Sequence, residues 1–122
     1  GPPGGIDDRI ILTLSGGGYP ISSGFSVFHR VQFDSTITGA YLLADKNGSI
    51  EIDIWFNPLT IPTAEDSIVG TTPPKLSSEM ESEDELLSDW NTILTEGGKI
   101  GFYINSASII TYCELTLAIR RD

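Results

Sequence analysis

From Ile6 onward, apolar and polar residues alternate with a period of two. In Arg9 to Leu14 the residues Ile10, Leu12 and Leu14 share one face. Between Phe25 and Phe33, the set Phe25, Val27, His29, Val31 and Phe33 faces one way, with Ser26, Arg30 and Gln32 opposite. Ile50, Ile52, Ile54 and Phe56 alternate with Glu51, Asp53 and Trp55. The last run sets Ile109, Cys113, Leu115, Leu117 and Ile119 against Tyr112, Glu114, Thr116 and Arg120. Strand side chains point alternately to opposite faces, so each run predicts a strand with one buried and one outer face. β-branched and aromatic residues crowd these runs, as a pleated, half-buried surface prefers.

Glycine-rich punctuation separates the predicted strands. Gly16-Gly17-Gly18 ends the first run, and Gly97-Gly98 precedes Ile100-Gly101-Phe102-Tyr103-Ile104. Asn47-Gly48, between Tyr41-Leu42-Leu43 and Ser49–Phe56, predicts a tight hairpin. Asn105-Ser106 predicts the turn into the last strand. Short strands, frequent turns and no alternating long helices predict an all-β fold, an antiparallel β-sandwich. Residues 57–76 hold Pro58, Pro62, Pro73 and Pro74 and read as an irregular excursion. The acidic stretch that follows, Glu79, Glu81, Glu83, Asp84, Glu85 and Asp89, has like charges too close for a good helix. It reads as a solvated loop leading into a strand near Asp89 to Thr95.

Composition narrows the function classes. The 122 residues include 17 Asp plus Glu against 7 Lys plus Arg, a formal charge of −10. Phosphates would repel such a chain, which argues against nucleic acid and anionic membrane surfaces as partners. No apolar run approaches the ~20 residues of a membrane-spanning helix, and no basic-then-apolar leader opens the sequence. One Cys rules out an internal disulfide, and with one His it leaves no Cys/His zinc cluster. Gly1-Pro2-Pro3-Gly4-Gly5 stands apart from the rest. Residues 1–5 read as the end of a collagen-like stalk or as a linker, because a triple helix needs Gly at every third position and Asp7 breaks the register. Residues 6–122 read as one domain.

No catalytic set is expected. His29, the sole side chain suited to orient a nucleophile, sits in the apolar alternation and reads as a hydrogen-bonded core residue. With 17 acids, a carboxylate pair at glycosidase spacing carries no signal, since chance alone supplies one. Gly16-Gly17-Gly18 opens no helix and reads as a turn, not a phosphate loop. Asp45 to Glu51 offers oxygens at alternate positions but lacks EF-hand spacing, so it reads as a hairpin ahead of a cation site. Cys113 falls on an apolar face and reads as an inert buried thiol. No cofactor and no metal are implied. Outer-face aromatic residues remain: Trp55 with Asp53 beside it, and Tyr103 and Tyr112. These four are the candidate ligand-binding residues, and packing against a neighbouring subunit is the alternative use of such rings.

Several stretches resemble a domain that recurs in bacteriophage structural proteins, often at the end of a fibre and after collagen-like repeats. They are Leu14-Ser15-Gly16-Gly17-Gly18, Val31-Gln32-Phe33, Thr36-Ile37-Thr38-Gly39, Leu42-Leu43-Ala44-Asp45, Gly48-Ser49-Ile50 and Asp53-Ile54-Trp55. Asp66-Ser67-Ile68, Pro73-Pro74 to Leu76-Ser77, Leu87 to Trp90, Gly101-Phe102 and Asn105-Ser106-Ala107 continue the resemblance. The acidic Glu79 to Glu85 and Tyr112-Cys113-Glu114 depart from it. The resemblance implies a jelly-roll head, a homotrimer on its stalk, at the surface of a virion among other virion proteins. It implies a structural and attachment role, with a host-surface glycan as the target, and transfers no ligand-binding residues. A carbohydrate-binding module of a secreted or cell-surface protein is the alternative. A collagen-stalked, tumour-necrosis-factor-like trimer of non-viral source is a third.

Overall fold

The computed structural model describes residues 5–122; the stalk or linker reading of residues 1–5 falls, but for Gly5, outside them. Among the described residues, seven strands form one antiparallel sheet: β1 Ile6–Ser15, β2 Gly24–Arg30, β3 Ser35–Asn57, β4 Lys75–Asp84, β5 Ile93–Leu94, β6 Lys99–Ser108 and β7 Tyr112–Arg121. The all-β, antiparallel expectation holds.

β3 organises the rest. Over 23 residues it pairs first with β7 (Ser35 with Arg121 through Ala44 with Cys113), then with β6 (Ser49 with Ser108 through Asn57 with Lys99). β6 and β7 therefore run as one interrupted strand along a single edge of β3. β1 pairs with β7 and β2 with β6, which repeats the two-part arrangement one strand further out. Each part carries its own inward face, and the sheet curls so that both contribute to one core. Ile50, Ile52, Ile54, Ile100 and Phe102 come from one part; Leu12, Leu42, Cys113, Leu115 and Leu117 come from the other. Each such side chain contributes roughly 1.5–3 kcal/mol on burial. The alternation read in β1, in the second half of β3 and in β7 is the alternation that fills this core, and Ile100, Phe102 and Ile104 of β6 add to it.

Asn47-Gly48 does not turn the chain, contrary to expectation. β3 runs straight through it, with register shifts against β4 on either side of Gly48. The glycine serves a close approach instead. A Cβ at Gly48 would lie 2.6 Å from the Ser108 carbonyl oxygen and 2.7 Å from Ile110 Cγ1. The corner between β6 and β7 thus rests directly on the β3 backbone. Asn105-Ser106 is likewise inside β6, and the corner falls at residues 109–111, where Ile109 adopts φ 73°. A β-branched residue rarely takes that conformation, and the surrounding contacts hold it there. Ile109 is accordingly exposed, while Ile110 is buried.

The acidic stretch is a strand as far as Asp84, contrary to the loop expected there, and only Glu85 and Asp89 lie in a loop. Residues 75–84 make β4, laddered on β3 from Glu51 with Lys75 to Ala40 with Asp84. Leu76 alone is buried in it, so backbone hydrogen bonds hold the strand and its carboxylates stay in water. Charges on an edge strand also discourage edge-to-edge pairing with other chains. The strand expected over Asp89 to Thr95 shrinks to Ile93–Leu94.

Candidate functional site

The outer face of β2, β6 and the second half of β3 carries a row of four aromatic rings. Register sets Asp53, Tyr103 and Phe25 side by side, and Trp55, Gly101 and Phe28 in the next row on the same face. Trp55 stacks on Tyr103 with ring centroids 5.3 Å apart and planes at 20°. Its other neighbour is Phe25, at 6.2 Å and 27°, and Phe25 in turn meets Phe28 at 4.5 Å. Gly101 makes room for this row: a Cβ there would lie 2.9 Å from the Phe28 ring and 3.5 Å from Pro62. Phe25 and Phe28 are exposed, at 47% and 38%, and Leu59 and Ile61 are exposed in the segment that leads to Pro62.

Asp53 fixes the indole. Its Oδ2 accepts the Trp55 Nε1–H at 2.9 Å, and its Oδ1 accepts the Ser67 hydroxyl at 2.6 Å. Ser67 forms an isolated bridge with Trp55, so the segment after β3 folds back beside the row. That segment is held by Asp66, whose carboxylate accepts the Thr63 backbone N–H, and by Lys99 Nζ donating to the Leu59 carbonyl. Trp55 is thus flanked by two rings and tethered by a carboxylate. The open ring surface belongs to Phe25 and Phe28.

Of the four residues picked from sequence, Asp53, Trp55 and Tyr103 come together here. Tyr112 does not. It opens β7 in the other part of the sheet, opposite Ser15. Its backbone N–H donates to Asp45 Oδ1 at 3.1 Å, as does that of Thr111, and the Thr111 hydroxyl bonds Asp45 Oδ2. Those bonds hold the Asp45 carboxyl below its ordinary range, the Thr111 hydroxyl being the largest cause, against an opposing effect of burial. Asp45 is a clamp on the β6–β7 corner. Among the described residues, no three His, Cys, Asp or Glu side chains gather as metal ligands.

Phe25 and Phe28 went unrecognised as partners because β2 has a bulge. The register shifts between Phe25 and Val27, so Phe25 and Phe28 both face outward while Val27 lies opposite Phe102. An unbroken alternation puts Phe25 inside and Phe28 with the polar set. His29 corrects a second expectation. It keeps the inward direction, with its ring edge-on to Phe102 at 6.0 Å, but β2 is an edge strand and the ring is exposed. Phe33 also leaves the core. It lies in the crossing segment after β2, 44% exposed, beneath the Arg121 guanidinium at 3.7 Å. Cys113 is buried as expected, and burial, with help from Asp45 and Glu114, pushes its thiol up to about 11.

No protein-family model and no curated protein matches this chain.

Proposed function

We propose that this domain is the non-enzymatic head of a phage-type virion appendage, a jelly-roll that assembles as a homotrimer and displays its surface for host attachment. The observation that carries the reading is the outward aromatic row Phe25, Phe28, Trp55 and Tyr103. Copies with a charge of −10 repel one another, so they meet most readily where charge is lowest. This face offers that place: both carboxylates that β3 turns to it are already engaged, Asp53 by Trp55 and Ser67 and Glu51 by the Asn105 amide. Aromatic residues are enriched in the buried centres of protein interfaces, and charged residues are depleted there. Phe25 and Phe28 supply exposed apolar area on a rigid sheet, a low-entropy anchor for a neighbouring subunit.

A carbohydrate-binding module uses an open ring face to stack on a sugar. Trp55 already has two rings stacked near it, Tyr103 at 5.3 Å and Phe25 at 6.2 Å, which favours the assembly reading over the glycan platform.

Light scattering tests the proposal. The expected mass is near 40 kDa, about three times the 13.2 kDa chain. Phe25→Ser with Phe28→Ser is expected to return it to the single-chain value with an unchanged β-sheet circular dichroism spectrum. A monomeric wild-type protein at high concentration overturns the assembly reading. A wild-type monomer that binds a glycan array, and loses that binding in Trp55→Ala, replaces it with the carbohydrate-module reading.

A further inference from the structure

A second site lies at the opposite kind of surface, a groove between the two edge strands. β1 bounds the sheet on the β7 side and β2 bounds it on the β6 side, and the curl brings them to either side of a cavity of 260 Å³. That is about nine times the ~30 Å³ a water molecule occupies in the liquid, room for one six-membered ring and its substituents. Ile10, Val31 and Ile119 give the cavity an apolar floor, and Phe33 lines it beside them. Arg9, Arg30, His29 and Asp8 line it too, all four exposed.

Two features mark this cavity as more than a seam. The first is Ser35. It lines the cavity, is fully buried, and its hydroxyl has no hydrogen-bond partner among the described residues. Native interiors rarely leave a buried hydroxyl unpaired, so an orphan of this kind points to a group that engages it from the cavity. The second is the placement of charge. Two of the four arginines of this acidic chain, Arg9 and Arg30, line the groove, with Asp8 as the one acid beside them, and the glutamates of β4 lie on the other side of β3. Arg120 pairs with Asp7 at 3.6 Å and Arg121 with Asp8 at 3.9 Å. Arg9 and Arg30 have no ion-pair partner among the described residues.

We propose that this groove binds a small organic carboxylate carried on a single apolar ring. The guanidinium groups of Arg9 and Arg30 receive the carboxylate, for which their planar donor fork is suited. The ring fills the space over Ile10, Val31 and Ile119, and the Ser35 hydroxyl meets a polar atom of the ligand at the floor. The site stands whether or not the domain is an appendage head.

Benzoate is the probe, with benzyl alcohol as its uncharged counterpart, each titrated into the ¹⁵N-labelled 122-residue chain and followed by amide shifts. Saturable shifts confined to Ile10, Ile11, Val31, Phe33 and Ser35 are expected for benzoate, with benzyl alcohol about tenfold weaker or worse. Arg9→Gln combined with Arg30→Gln is expected to weaken benzoate by about tenfold or more. Ser35→Ala removes an unpaired hydroxyl, so its fold is expected to persist while benzoate affinity falls several-fold. Absence of saturable shifts, equal affinity for benzyl alcohol, or undiminished benzoate binding in the double arginine variant overturns the proposal.

Discussion

Asp53 Oδ2 accepts the indole N–H of Trp55 at 2.9 Å, from two residues earlier on the same face of β3. Period two sets this pair side by side, and the bond turns a coincidence of strand geometry into a fixed ring orientation. The Ser67 hydroxyl on the other carboxylate oxygen ties the segment after β3 to the same point. One acid therefore aligns both the aromatic row and the chain that borders it.

Removing that acid is expected to loosen the row without unfolding the sheet. Asp53→Ala should cost about 1.5–3 kcal/mol in urea denaturation, the scale of hydrogen bonds to a charged group. Trp55 emission should shift to the red in a Trp90→Phe background. Ser67→Ala in the same background should cost less, because the indole keeps its partner.

Two glycines separate packing against backbone from packing against a side chain. At Gly48 a new methyl meets the Ser108 carbonyl oxygen and Ile110, groups that the β6–β7 corner holds in place. Gly48→Ala is expected to destabilise by roughly 1–3 kcal/mol, the range for overpacked interiors. At Gly101 the new methyl meets the edge of the Phe28 ring, which is free to swing outward. Gly101→Ala is expected to stay within about 1 kcal/mol of wild type and yet to weaken self-association, read by thermal unfolding and light scattering.

The Asp45 clamp gives a pH dependence of definite sign. Its carboxyl is held below the ordinary 3.8 by the Thr111 hydroxyl and the Thr111 and Tyr112 amides. A depressed folded-state pKa adds stability that is fully present above the unfolded value and fades as pH falls below 3.8 through the folded one. Asp45→Asn is therefore expected to be less stable than wild type at pH 7. The gap should narrow on acidification below that point, followed by circular dichroism.

Cys113 has the opposite sign. Burial raises its thiol to about 11, from 9.0, so the stability it contributes is complete below pH 9.0 and declines as pH rises toward 11. A thiol of that kind is poorly nucleophilic at neutral pH. Reaction with a disulfide reagent at pH 8 is expected to be slow in the native protein and immediate in denaturant. Rapid modification of the native thiol would place Cys113 outside the core.

Much of the fold was legible because two-residue periodicity is a direct image of a half-buried strand. Ile50, Ile52 and Ile54 and the run from Cys113 to Ile119 could be assigned to the core on that basis. Three things were not legible. The β2 bulge costs one residue of register and so turns Phe25 outward beside Phe28, a change no side-chain pattern announces. Gly48 signals a turn by its neighbour Asn47, but the long-range approach of Ser108 decides its use. The strand from Lys75 to Asp84 has little apolar content, and only pairing with β3 makes it a strand. In the candidate site, Asp53, Trp55 and Tyr103 followed from alternation. Tyr112 shared their character but not their location, which depends on how β6 and β7 divide β3 between them.

The most direct test of the aromatic face as the contact surface is cross-saturation in an assembly mixed from deuterated, ¹⁵N-labelled chains and unlabelled chains. Irradiating the unlabelled subunits is expected to attenuate the amides of Phe25, Phe28, Trp55, Gly101 and Tyr103. Attenuation centred on Tyr112 and β4 instead, or attenuation nowhere, would contradict the proposed surface.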